Sequence, residues 1–173
     1  HVSSMLKSHK HKVKVFFMPG DENYAKRYSD NVLDQLYNMC KDFDIIGISS
    51  YASTSVRAIQ VVNKLKPLGK TIVWGGIHAT ISPDKCIDHV DIVCVGEGEY
   101  TMLELLDKLE KKQDITNIDN LWVRKDGKIY KNDIRKLIED LDSIPPPDYG
   151  IEDHYIIERN KIVPFEEKHL NGM

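Results

Sequence analysis

The sequence predicts an α/β fold built on a doubly wound parallel sheet, and three observations carry that prediction. Short apolar runs alternate with stretches of helical periodicity, and the loops between them are short. Several runs are apolar on consecutive positions, as in strands covered on both faces. Two of them, 72–74 and 92–95, run straight into glycine clusters, Gly75-Gly76 and Gly96-Glu97-Gly98-Glu99. In open parallel sheets ligands bind beyond the carboxyl ends of the strands, where glycine lets them approach bare backbone.

The elements follow in order. Residues 1–10 read as the back half of an amphipathic helix with Val2, Met5 and Leu6 on one face. Residues 13–18 (VKVFFM) form a strand ended by Pro19-Gly20. Residues 30–39 place Val32, Leu33, Leu36 and Met39 at helical spacing, and 44–49 (DIIGIS) are a buried strand. A helix over 54–66 turns Val56, Ile59, Val62 and Leu65 inward until Pro67 and Gly69 end it. Residues 71–74 are a strand. Residues 83–88 are a short helix with Ser82 as cap and Pro83 in the first turn. The strand 92–95 and a helix over 100–111, apolar at Leu103, Leu105, Leu106 and Leu109, complete the alternation. Residues 121–131 then read as a hairpin around Asp126-Gly127. A helix is expected over 134–143, a stiff proline connector over 144–147, and no clear period over 151–173.

The chain of 173 residues is one domain with some excess. Domains are expected at 1–114 for the sheet, 115–150 for hairpin, short helix and proline-rich linker, and 151–173 as a lead-in to a further domain. The sheet counted from residue 13 has four strands, and the opening half-helix implies a strand before it. The expectation is therefore a piece of a longer protein, truncated at its first strand, with an open sheet edge that a second copy could pair with. A net charge of −3 argues against nucleic acid as partner. No apolar run nears the ~20 residues of a membrane span. Three scattered cysteines, Cys40, Cys86 and Cys94, suggest neither disulfides nor a metal site and fit a reducing cytoplasm.

Three loops could carry binding. Residues 49–55 hold five Ser and Thr hydroxyls, which either cap the next helix or meet a ligand rich in amides and phosphate. In 75–80, His78 is either a loop histidine or lines a pocket; companions for metal ligation are absent nearby in sequence. In 96–99, Glu97 and Glu99 argue against a phosphate cradle. Glu99 favours a helix start, or a carboxylate accepts hydrogen bonds from a ligand. No nucleophile–base pair stands out, so no residue is singled out as catalytic or as a metal ligand.

Taken in order, DIIGISSYAST, TIVWGGIHATISPDKCIDHVDIVCVGEGEYTMLELL, the hairpin and SIPPPDYGI resemble the amino-terminal cobalamin-binding domain of cobalamin-dependent radical S-adenosylmethionine enzymes. That class includes the anaerobic magnesium-protoporphyrin IX monomethyl ester oxidative cyclases, and the likeness spans residues 42–150. The resemblance implies a Rossmann-like (flavodoxin-like) sheet holding cobalamin across its strand ends. It would set Ser49, Ser50 and Thr54 along the channel for the nucleotide tail. Gly75, Gly76, His78 and Thr80 would lie under or beside the corrin, with Gly96, Glu97, Gly98 and Glu99 as the opposite wall. It also implies binding without a cobalt-ligating histidine, and a downstream radical domain holding a 4Fe–4S cluster and S-adenosylmethionine, where catalysis of a methyltransferase or oxidative-cyclase type would reside. The alternative is a non-catalytic flavodoxin-like receiver or nucleotide-binding module.

Overall fold

A computed structural model describes residues 1–19 and 27–172, with the side chains of 170–172 left aside. Gly20, expected to end the first strand, lies outside the described residues, as does Met173. Fourteen helices and strands are used below: α1 (Val2–Ser8), β1 (Val15–Phe17), α2 (Asp30–Cys40), β2 (Ile45–Ser49), α3 (Ser55–Leu65), β3 (Thr71–Gly75), α4 (Gly76–Ile81), α5 (Pro83–Ile87), β4 (Ile92–Cys94), α6 (Glu99–Glu110), β5 (Leu121–Lys125), β6 (Lys128–Lys131), β7 (His154–Glu158) and β8 (Lys161–Pro164).

The main sheet has the order β2-β3-β4-β5-β6. Its first three strands are parallel, and β5 and β6 add an antiparallel hairpin beside β4. Side chains alternate between the two faces of a strand, and both faces are covered. Ile72, Trp74 and Val93 pack with Leu33, Leu36, Val62, Leu65 and Cys86 from α2, α3 and α5. Val73, Ile92 and Cys94 face the other way, onto Met102 and Leu105 of α6, with Val2 and Leu6 of α1 packed against them. This is the Rossmann-like, doubly wound arrangement the apolar runs predict. The amphipathic opening helix is also present, with Met5 buried.

Four expectations change. The run 13–18 does form a strand, but β1 leaves the main sheet and pairs in parallel with β7, within a separate sheet of order β1-β7-β8. A strand's apolar pattern shows that it is buried, not which neighbour buries it. The aperiodic tail 151–173 supplies the β7–β8 hairpin, turned by Arg159 and Asn160, both at positive φ. Residues 134–143 are not an α-helix: they carry no regular element apart from one 3-10 turn at Leu141–Ser143. Val56 is exposed, whereas Ala58 and Val61 join Val62 and Leu65 in the core, because at about 3.6 residues per turn 58, 61, 62 and 65 share one face and 56 lies opposite it.

The turn Asp126-Gly127 has positive φ at both residues, as the two-residue hairpin requires. Among the described residues no helix is long and apolar enough to cross a membrane.

Candidate functional site at the strand ends

Parallel pairing brings the three predicted loops to one edge, with Ser49 registered opposite Gly75. Beyond Gly75 the chain turns at Gly76, with φ +83°, into α4, a short helix where the glycines and hydroxyls of 75–80 predict a loop. A Cβ on Gly76 would collide with Ser49 Oγ and lie 3.2 Å from Ser50 N. Bare backbone is needed here for the first two loops to touch. His78 N then donates to Ser50 O at 3.1 Å.

Thr80, one turn on, joins the second loop to the third. Its hydroxyl donates to Gly76 O and accepts from Gly96 N, both at 3.0 Å. Gly96 itself sits at φ +86°. The loops after β2, β3 and β4 thus form one hydrogen-bonded surface. Its segments carry exposed apolar side chains, Ile77 at 53% and Ile81 at 74% exposure on α4 and Tyr51 in the first loop.

The predicted residues divide by what occupies them. Ser50 is buried and accepts from Trp74 Nε1 at 3.0 Å. Thr54 Oγ1 accepts from Tyr51 N and donates to Tyr51 O, closing its own turn. Ser49 stays exposed. The His78 ring lies 5.9 Å from that of Trp74. Gly98 gives room to α1: a Cβ there would come within 3.3 Å of Val2 Cγ2. Glu97 turns away from the open edge, its Oε2 accepting from Ile138 N at 2.9 Å. Glu99 begins α6, where a carboxylate suits the helix dipole. Ser82 makes no side-chain cap for α5, although Pro83 does open that helix.

No group of three or more potential metal-ligating side chains occurs among the described residues. Burial pushes the thiols of Cys40 and Cys86 up to about 11 and that of Cys94 to about 12. For Cys86 the Asp84 carboxylate, and for Cys94 that of Glu99, add to the effect of burial. Such thiols stay protonated and inert near neutral pH.

A cavity of about 680 Å³ lies at the opposite end of the strands, where Thr71 and Asp91 begin β3 and precede β4. Two of its lining cations are engaged locally, Lys125 with Asp114 and Arg124 with Ile87 O. In a parallel sheet that is the end away from ligand.

Two further residues hold the site's surroundings in place. Asn120, buried at φ +68°, holds the third loop from beneath. Its signal was an Asn just before a strand, a residue type that tolerates left-handed backbone. Asp148, in the proline connector, lies 2.8 Å from Lys7 Nζ and 3.6 Å from His154 Nε2, and so fastens connector, α1 and β7 together. Burial would raise its carboxyl, but Lys7 and His154 outweigh that and hold it below the ordinary value. A depressed carboxyl stabilises the fold above its unfolded value of ~3.9 and loses that effect as pH falls through the folded value. Asp148→Asn is therefore expected to cost about 1–3 kcal/mol at pH 7. In urea titrations the difference from wild type should shrink as pH drops below ~4.

Residues 1–106 match the B12 binding domain family. The chain is 34% identical over 115 residues to an uncharacterized methyltransferase of Pyrococcus horikoshii, covering 64% of this chain and 25% of that protein. It is 31% identical over 111 residues to the bacteriochlorophyllide d C-8(2)-methyltransferase of Chlorobaculum tepidum, covering 56% and 25%. In fold it resembles OxsB, a cobalamin-dependent S-adenosylmethionine radical enzyme solved with aqua-cobalamin bound, with a TM-score of 0.53 and 19% identity over 62% of this chain and 16% of that one. The chain thus spans about a quarter of the curated relatives it matches.

Proposed function

The chain belongs to the B12 binding domain family, and we propose that the joined strand-end loops are where it carries cobalamin, as the binding module of a radical S-adenosylmethionine enzyme. The observation that carries this reading is the Thr80 bridge. It turns two glycine ends into one continuous floor, and Ile77 and Ile81 give that floor an apolar relief. A corrin is a broad flat ring with amide side chains at its rim. Apolar contact beneath and backbone or hydroxyl partners at the margin suit it.

Gly75, Gly76, His78 and Thr80 would lie under or beside the ring, with Ser49 offering its hydroxyl to the tail. Ser50 and Thr54 would shape that channel through the contacts that already hold them. Gly96, Gly98 and Glu99 would form the far wall, with Glu97 behind it. Bound cobalamin supplies a cobalt centre able to carry a methyl group or to exchange electrons. The chain's own residues bind it, orient it and exclude water from one face.

The 4Fe–4S cluster, S-adenosylmethionine and catalysis, of methyltransferase or oxidative-cyclase type, belong on this proposal to a further domain. Residues 1–114 would be the cobalamin unit, 115–150 a hairpin that extends its sheet plus the connector, and 151–173 the approach to the radical domain. The outer edge of β2 would remain open to a second copy, and the free, buried cysteines fit the cytoplasm. Hydroxocobalamin incubated with the chain and passed through a desalting column should co-elute at near one equivalent, with its visible bands shifted. Elution of the protein without corrin absorbance would refute the proposal.

A further inference from the structure

Residues 134–143 form no α-helix where their periodicity calls for one, and their backbone donors show why. Arg135 N donates to Asn120 Oδ1 at 2.7 Å, and Ile138 N to Glu97 Oε2 at 2.9 Å. Asn120 in turn donates through Nδ2 to Glu97 O at 2.9 Å and to Thr101 Oγ1 at 3.2 Å. Its backbone accepts from Val95 N and donates to Asp133 O, both at 2.8 Å. Every polar group of this buried asparagine is therefore spent between the loop after β4 and the segment crossing it. Beyond these contacts the Arg135 guanidinium pairs with Glu104 of α6, and Tyr100 Oη lies 3.3 Å from Ser143 Oγ.

The segment so held is not folded inward. Ile134 and Leu137 are 64% and 71% exposed. Ile134 Cγ2 nevertheless lies 3.8 Å from the place a Cβ on Gly96 would occupy, alongside the third loop of the candidate site. Ile134 is thus presented at the rim of the strand-end surface, and exposed Leu137 follows it, on a backbone tied down by a carboxylate and an amide.

We propose that Glu97 and Asn120 are positioning residues that latch residues 132–138 onto the Gly96–Glu99 loop, so that segment and loop form a single wall of the cobalamin site. This rests on the cobalamin reading above. Glu97 then acts through the segment it holds and does not need to touch the ligand, and Ile134 and Leu137 supply the apolar side of the wall.

The test combines site-resolved amide exchange with hydroxocobalamin titration on the full chain and on Glu97→Ala, Glu97→Gln and Asn120→Gly. Glycine keeps the left-handed backbone at 120, so only the side-chain amide is lost. Glu97→Ala is expected to speed exchange at Ile138 about tenfold and to weaken cobalamin binding by a similar factor, the size of one charge-assisted hydrogen bond. Asn120→Gly should do the same with the faster amide at Arg135. Glu97→Gln, whose amide oxygen still accepts from Ile138, should restore both quantities. A merely structural role would instead lower the melting temperature in proportion to the loss of binding. Unchanged exchange in Glu97→Ala, or faster exchange with undiminished affinity, would overturn the latch. If the wild-type chain itself takes up no cobalamin, the cobalamin reading fails and the wall assignment with it.

Discussion

Trp74→Ala is expected to cost about 3–5 kcal/mol, the largest single effect in the molecule. Trp74 is 1% exposed and sits between Ile48 on one neighbouring strand and Val93 on the other. Its ring meets those of His78 and His89 at 5.9 and 6.2 Å, so truncation opens a cavity directly beneath the second loop. It also strands Ser50, whose buried hydroxyl accepts from the indole N–H. Trp74→Phe separates the two contributions. The phenyl ring keeps most of the apolar volume, and the loss should fall to about 1–3 kcal/mol for the unpaired hydroxyl plus a small void. Urea unfolding followed by circular dichroism gives both values. A cost below 1 kcal/mol for the alanine variant would contradict the packing described.

Gly76→Ala should produce the second large effect, and here binding should fall along with stability. The left-handed backbone alone costs an alanine roughly 1–2 kcal/mol. The added methyl would also press on Ser49 Oγ, Ser49 Cβ and Ser50 N. A serine oxygen can rotate away, but Ser49 Cβ at 3.3 Å and the backbone nitrogen at 3.2 Å cannot. The first two loops must therefore separate, to a total of about 2–4 kcal/mol. Thr80 would then lose its acceptor geometry at Gly76 O, and cobalamin affinity should fall more than ~10-fold. Two other glycines are internal controls. Gly75→Ala places its methyl 3.6 Å from Cys94 Cβ, an ordinary contact, and Gly47→Ala meets nothing within 4 Å. Both should be tolerated with less than ~1 kcal/mol of change. Equal losses at all three positions would show that the strain is not local to Gly76.

What the sequence reveals and what it hides divide along contact distance. The strands β2, β3 and β4 are legible because their consecutive apolar residues face helices on both sides. The Asp126-Gly127 turn is legible because its backbone demands are local. The loops of the candidate site are legible for the same reason, since glycines and hydroxyls directly follow the strands. How those residues are engaged is not legible. Glu97 turns to Ile138, Gly98 makes way for Val2, and Thr80 reaches Gly96 only because α4 crosses from one strand end to the next. The helix expected over 134–143 fails for a comparable reason: Asn120 and Glu97 offer its amides better partners than the segment's own carbonyls do. β1 is assigned to its sheet by a strand more than a hundred residues later, whose alternation is masked by charge.

Site-resolved hydrogen exchange of the chain with and without hydroxocobalamin tests the central claim most directly. Protection is predicted at 49–54, 75–80 and 96–99, and at Arg135 and Ile138, with none at Thr71 or Asp91 on the opposite end of the strands. Protection confined to that opposite end, or absent altogether at saturating corrin, would contradict the assignment of the strand-end loops as the cobalamin site.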